Sequence, residues 1–264
     1  MLSRFFNGFS NIDFGVLLLS IPSVMIALMV HEVSHGYVAH LCGDDTAKNH
    51  GRLSFNIFRH LDPVGTLLLL FFGYGYARPV PVNYRNLRKP RRDIALVSLA
   101  GPGSNLIMAF LAVVLYYIIL IVFTVTSGVS TENTGIFISR LLGGNAMLFD
   151  PQWLLSVIYG GDVSPVLAAF LSFLCIFASM NIGLALFNLI PFPPLDGSKV
   201  VSSLLPVNAA AKYLRLEFYS RYVFLALMVL FWVFPSVSSV LFYPLNVAAD
   251  GILWLFQAFM LLFF

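Results

Sequence analysis

Three polar residues, His31, Glu32 and His35, interrupt the apolar run LMVHEVSHGYVAH. On a helix, His31 and His35 are four positions apart, so both imidazoles fall on one face, one turn from each other. Two imidazoles at this spacing can bind one zinc ion, at about 2.0–2.1 Å each. Glu32 is rotated by about 100° from His31, so its carboxylate can reach a water molecule at the metal without being a ligand. The HExxH spacing therefore predicts hydrolysis at a metal ion.

A simpler interpretation competes with this one. A histidine in an apolar helix is more often a hydrogen-bonded core residue than a metal ligand, and a pattern as short as HExxH arises by chance. However, two histidines and a glutamate within five residues of a membrane segment each cost several kcal/mol unless they are paired or coordinated. This cost favours the metal interpretation.

The composition excludes most classes of soluble protein. The 264 residues are 59% hydrophobic and only 10% charged, and the mean hydropathy is +0.88. Soluble domains carry about 25% charged residues. We therefore expect an all-α polytopic membrane protein. No nucleic-acid motif is present, and no nucleic-acid partner is expected.

The apolar stretches predict about five to six transmembrane helices. The five main apolar segments lie at about residues 14–40, 94–125, 166–190, 222–234 and 247–264, and an earlier start of the fourth is left open. A further run, 61–75, is short for a span and favours a re-entrant element between the first two helices. It is followed by the proline-alternating residues 77–82, which predict extended, β-like backbone.

The distribution of basic residues predicts the topology. Lys and Arg are concentrated in residues 42–60, 76–92 and 199–221, whereas residues 127–163 contain only Arg140. The positive-inside rule places the three basic stretches in the cytosol and 127–163 in an extracytoplasmic loop. Three polar clusters, at residues 31–35, 100–105 and 188–197, then reach a similar depth on the cytosolic side.

The third ligand of a catalytic zinc must come from another part of the chain. Asp196 directly follows the third long segment in NLIPFPPLDG, on backbone that three prolines keep from forming a regular helix. This position suits a metal ligand. Alternatively, Asp196 caps the next helix. The spacing alone leaves both interpretations open.

Three motifs together identify a family. HEVSHG, AGPGSN and NLIPFPPLDG, in this order and on separate segments, resemble the site-2 protease family of intramembrane zinc metalloproteases. FNIFRHLDPVGT and YARPVPVN are similar to runs in its bacterial members, and the resemblance covers about residues 14–200. It implies one zinc ion per chain, held by His31, His35 and Asp196, with Glu32 as the catalytic glutamate. Asn105 matches an asparagine near the active site of the family.

The resemblance implies hydrolysis of peptide bonds in transmembrane segments or signal-peptide remnants. We expect a minimal bacterial-type member without a PDZ or CBS domain, with a single membrane-embedded domain over residues 1–264 and C-terminal helices in 206–264. The expected location is the cell membrane, as a multi-pass protein with its active site towards the cytosol. The expected partners are transmembrane substrates and the lipid bilayer, and the sequence indicates no particular oligomeric state.

Two local features have alternative interpretations. Asn105 either donates a hydrogen bond to the substrate or its oxyanion, or joins two helices beside the small residues Gly101, Gly103 and Ser104. The run Arg78–Asn83 is either an edge to which an unwound substrate adds as a strand, or a plain loop.

Two other functions compete with proteolysis. In a transporter, His31, Glu32, His35 and Asp196 would form an ion relay. Such relays spread ionisable residues through the membrane depth, whereas these gather at one depth. A catalytically silent relative would bind membrane partners, but it would be expected to lack Glu32 or a metal ligand.

Overall fold

The chain is helical over most of the residues described here. The computed structural model describes residues 14–62, 65, 77–126, 164–216, 218–220, 222, 223, 226, 230 and 233–261. The helices are α1 (Phe14–Leu41), α2 (Thr46–Asn49), α3 (Pro90–Thr126), α4 (Pro165–Asn188), α5 (Asp196–Leu204), α6 (Val207–Leu214) and α7 (Pro235–Leu261). Short 3-10 turns occupy Ile57–Arg59 and Tyr84–Asn86.

Three of these helices are long and apolar enough to cross a membrane: Leu18–Leu41, Pro90–Phe123 and Pro165–Asn188. They agree with the first three predicted long segments to within a few residues. On α3 an outward stripe of large apolar side chains is exposed, at Ile107, Leu111, Leu115, Ile118 and Val122. Exposing so long an apolar stripe to water would be unfavourable, so this face of α3 contacts lipid. The expected all-α membrane class is confirmed, and the number of five to six spans stays a prediction.

The last predicted helix begins earlier than expected, and some other predicted elements cannot be compared. α7 begins at Pro235, well before the predicted start near residue 247. Hydropathy locates the apolar part of a helix, but this helix begins in a serine-rich stretch that hydropathy does not detect. Residues 127–163, most of 61–75 and much of 222–234 lie outside the described residues.

The helix bundle has its main core between α3 and α4. Tyr116, Tyr117 and Leu120 of α3 are almost fully buried against Leu171 and Ile182 of α4. Residues of α7 complete this cluster, among them Leu253 and Met260. Between helices in lipid, close packing of side chains supplies the attraction, and this packing holds the long helices in a fixed relation.

A second, smaller cluster joins the end of α1 to the start of α3. Ala39, Cys42, Leu87 and Val97 are buried together, and the Arg88 N–H donates a 3.1 Å hydrogen bond to the Cys42 carbonyl. The last turns of α1 therefore lie beside the first turns of α3, and α5 packs on the same helix. This arrangement brings the three sequence motifs to one end of the bundle.

Residues 77–83, called here the proline segment, lie beside α1. Ala77 forms an isolated antiparallel bridge with Leu61, and the Arg78 N–H donates to the His60 carbonyl at 2.7 Å. Among the described residues no longer β-ladder forms here, because Pro79 and Pro81 have no N–H to donate. The predicted β-like element is thus limited to one bridge pair in this part of the structure.

The proline segment is held from both sides. The Arg52 guanidinium donates to the carbonyls of Arg78 and Pro79, at 2.6 and 3.3 Å. Burial, with the nearby charge of Arg78, lowers the pKa of Arg52. On the other side, the Asn83 N–H donates to the buried Asp44 carboxylate at 2.7 Å. These contacts fix where the segment passes α1.

Candidate metal centre

The two histidines of α1 meet as the helical spacing predicts. Nε2 of His31 and Nε2 of His35 are 3.1 Å apart, and the rings are nearly perpendicular. His31 is 4% exposed, so its imidazole is removed from solvent. The pair occupies the second half of α1, at the end where α3 begins.

Asp196 completes a triangle with these histidines. Its Oδ2 lies 3.1 Å from Nε2 of His31 and 3.1 Å from Nε2 of His35. Asp196 is the first residue of α5 and is only 6% exposed. The structure therefore brings together the three residues that the sequence motifs suggested, from positions 165 residues apart.

Asp196 does not act as a helix cap. Leu195 occupies the capping position, and the Asp196 carboxylate contacts the two histidines and Lys199. The capping alternative is therefore wrong, because Asp196 is already the first helical residue and no side chain makes a capping hydrogen bond at this end of α5. Gly197 permits this geometry, since a Cβ there would lie 2.2 Å from the Leu189 carbonyl oxygen.

The donor set fits a zinc ion. Ligand atoms about 2.0 Å from a tetrahedral zinc lie about 3.3 Å from one another, close to the three observed separations of 3.1 Å. Nδ1 of His35 is 2.7 Å from the Val97 carbonyl, so it carries the proton and Nε2 presents a lone pair. A metal ion between the three atoms would satisfy all of them at once.

Gly101 of α3 covers the triangle. A Cβ at this position would lie 2.4 Å from Nε2 of His35 and 2.6 Å from Cε1 of His31. Only glycine lets the α3 backbone approach the imidazoles this closely. Gly103, two residues on, has no atom within 4 Å of such a Cβ, so the requirement is specific to Gly101. The sequence suggested only that small residues here let helices approach.

Glu32 is held by the proline segment. Its Oε2 accepts a 2.9 Å hydrogen bond from the Val80 N–H, and the residue is only partly buried. One carboxylate oxygen is therefore fixed by the backbone, while Oε1 accepts no hydrogen bond from the described residues.

Asn105 lies one helical turn beyond Gly101. Its side chain is fully buried, and its Nδ2 is without a hydrogen-bond partner among the described residues. Among these same residues, no hydrogen bond joins it to His31, His35 or Asp196. A buried amide whose donors are unused is costly.

Sequence reasoning missed Lys199. Lys199 Nζ is 3.3 Å from Oδ1 of Asp196; sequence reasoning placed it only in a basic stretch, although its i,i+3 spacing from Asp196 predicts contact on a helix. Asn188, the last residue of α4, donates from Nδ2 to the Leu184 carbonyl of its own helix, at 2.9 Å.

These features define a metallopeptidase-like centre in a membrane protein: an HExxH helix, a distant aspartate and a long apolar bundle. The profile of peptidase family M50 matches residues 20–231. The chain therefore belongs to peptidase family M50, and the resemblance to site-2 proteases is confirmed.

Curated relatives agree with this assignment. The chain is 39% identical over 236 residues to "Putative zinc metalloprotease YwhC" of Bacillus subtilis strain 168, covering 89% of this chain and 90% of that protein. It is 28% identical over 188 residues to "Putative zinc metalloprotease Rip2" of Mycolicibacterium smegmatis, covering 69% of this chain and 56% of that protein. The chain thus spans about half of the mycobacterial relative. No solved structure gives a significant match.

Proposed function

We propose that this chain is a zinc endopeptidase that hydrolyses peptide bonds within transmembrane segments of membrane proteins or signal-peptide remnants. The observation that carries the proposal is the triangle of His31 Nε2, His35 Nε2 and Asp196 Oδ2, with sides of 3.1 Å, at the end of an apolar helix. The relatives named as zinc metalloproteases support the same metal.

His31, His35 and Asp196 would hold one zinc ion per chain. The bound ion would lower the pKa of a water molecule and polarise the scissile carbonyl. Glu32 takes the proton of the attacking water on Oε1, while Val80 keeps Oε2 in place. Glu32 then gives this proton to the leaving amine nitrogen, so the same carboxylate serves as base and as acid.

Asn105 acts on the substrate in this proposal. Its buried Nδ2 donates to the substrate backbone or to the oxyanion that develops on the scissile carbonyl. Glu32 is only partly buried, and in this proposal water reaches the site beside it. A substrate helix must unwind locally before a peptide bond can reach these groups, because a regular helix keeps its carbonyls in its own hydrogen bonds.

The proposed location is the cell membrane, with several spans and the site towards the cytosol. Support comes from the basic stretches at 42–60, 76–92 and 199–221, which join the helix ends around the site. The proposed partners are protein substrates with transmembrane segments and the surrounding lipid bilayer.

The proposal is tested by zinc content and by cleavage, on the full chain purified in detergent without chelators. We expect about one zinc per wild-type chain and little in Asp196→Asn. Asp45→Asn, at an exposed position, is the matched control and should keep its zinc. Glu32→Gln should also keep zinc but should not cleave a mixture of transmembrane peptides that the wild type cleaves, as read by mass spectrometry.

Other outcomes would redirect the assignment. A wild-type chain without zinc, which also moves ions across liposomes, would support the ion relay. Zinc in the wild type with equal cellular phenotypes for wild type and Glu32→Ala would support a silent, partner-binding relative. Zinc retained by Asp196→Asn would require a different third ligand.

A further inference from the structure

The two carboxylate oxygens of Asp196 have different partners. Oδ2 lies 3.1 Å from each histidine Nε2, whereas Oδ1 lies 3.3 Å from Nζ of Lys199. Asp196 and Lys199 stand three residues apart on α5, so their side chains lie on one face of that helix. The side chain of Lys199 is 35% exposed, and its ammonium group reaches inward to the carboxylate.

Lys199 is itself held in place by Tyr84. The Tyr84 hydroxyl lies near the ammonium group and interacts with it electrostatically. Tyr84 begins the 3-10 turn that directly follows the proline segment. The same stretch of chain therefore supports Glu32 through Val80 and Asp196 through Lys199.

A carboxylate can bind a metal ion through one oxygen or through both. Two-oxygen binding by Asp196 would occupy the open position that a catalytic zinc site needs for water and substrate. An ammonium group on Oδ1 opposes this, because turning Oδ1 towards the metal breaks a charge-assisted hydrogen bond. Groups that orient ligands in this way usually alter metal binding or activity by about 10- to 100-fold when they are removed.

We propose that Lys199, supported by Tyr84, is a positioning residue that restricts Asp196 to one-oxygen coordination and keeps one coordination position open. The inference rests on the proposed metal site at His31, His35 and Asp196. It assigns Lys199 no contact with the substrate. α5 then does more than present the ligand, because it carries both Asp196 and its partner Lys199.

Cobalt(II) substitution of the full chain in detergent tests this inference, because the absorption of cobalt reports its coordination number. The variants are Lys199→Met, Lys199→Arg, Tyr84→Phe and, as a matched control on α6, the exposed Lys212→Met. We expect intense four-coordinate bands for wild type, Lys199→Arg and Lys212→Met. Lys199→Met should lose about twofold or more of this intensity as it becomes five-coordinate, and Tyr84→Phe should fall between.

Turnover gives a second, independent readout. In Lys199→Met, kcat should fall by about 10- to 100-fold, while Lys199→Arg should restore most of it. A four-coordinate spectrum and unchanged kcat in Lys199→Met would overturn the inference. If Lys199→Met does not fold, judged by gel filtration, Tyr84→Phe decides: a wild-type spectrum and kcat there overturn the inference as well. A wild type that binds no cobalt would instead overturn the metal site itself.

Discussion

The backbone N–H of Val80 donates a 2.9 Å hydrogen bond to Oε2 of Glu32. The two residues are 48 positions apart, and the contact depends on Gly36, where a Cβ would lie 2.8 Å from Cγ1 of Val80. The proline segment can therefore lie directly on α1 and orient the carboxylate. Because Pro79 and Pro81 have no N–H, Val80 supplies the donor that faces Glu32.

Removing this donor should slow the reaction without removing the metal. Val80→Pro eliminates the N–H, and a hydrogen bond to a charged group contributes about 1.5–3 kcal/mol. If this hydrogen bond orients Glu32 for proton transfer, its loss should lower kcat by about 10- to 100-fold. Zinc content should stay near one per chain, since Val80 touches no ligand in this structure.

Val80→Ala serves as the comparison, because it keeps the N–H and shortens only the side chain. Its kcat should decrease less than that of Val80→Pro. Equal kcat values for the two variants would mean that the side chain, and not the N–H, positions Glu32.

A methyl group at position 101 should abolish metal binding. In Gly101→Ala, the new Cβ would lie 2.4 Å from Nε2 of His35, so either the imidazole or α3 must move. We expect zinc content to fall from about one per chain to near zero. Gly103→Ala is a close control, because its Cβ meets no atom within 4 Å, and alanine is favoured over glycine within a helix. Zinc retained by Gly101→Ala would show that α3 can shift without cost.

The sequence was sufficient to locate α1, α3 and α4 and the histidine pair. Long apolar runs determine such helices, and the i,i+4 spacing of His31 and His35 is a local property. Asp196 also came from the sequence, but only as one of two interpretations. The choice between metal ligand and helix cap depends on the turn before α5, where Gly197 packs against the Leu189 carbonyl. This contact depends on backbone geometry that spacing does not encode.

The supporting contacts were not predictable in the same way. Val80 with Glu32, and Tyr84 with Lys199, join residues far apart in sequence through the proline segment and the short 3-10 turn that follows it. The periodicity of apolar residues does not predict where such a segment lies. Its position depends on the close packing at Gly36 and on the contacts of Arg52 and Asp44.

Asp44 should contribute to stability in a pH-dependent way. It is fully buried and accepts hydrogen bonds from the Asn83 N–H and the Asn86 side chain, at 2.7 and 2.8 Å, and also from Thr46. Burial alone would raise the pKa of this carboxyl, but these hydrogen bonds outweigh it and lower the pKa. Asp44→Asn should lower Tm by roughly 4–10 °C near neutral pH, for a loss of about 2–3 kcal/mol.

The sign of the pH dependence follows from the lowered pKa. The folded pKa lies below the unfolded value of about 3.9, so the stabilisation is complete well above that value. It is lost as the pH falls through the folded pKa. Melting curves of the metal-free proteins should therefore show a smaller difference between wild type and Asp44→Asn at pH 3 than at pH 7. A constant difference would contradict the role of the charge, and Asp45→Asn should show little change at either pH.

Zinc should stabilise the folded chain by binding across α1 and α5. A ligand present at a thousand times its Kd stabilises the state that binds it by about 4 kcal/mol. A chelator should therefore lower the Tm of the wild type, and added zinc should restore it. Asp196→Asn should melt at the same temperature with chelator or with zinc, because the triangle of His31, His35 and Asp196 is incomplete. If the Tm of Asp196→Asn responded to zinc as strongly as that of the wild type, the stabilising ion would be bound elsewhere in the chain.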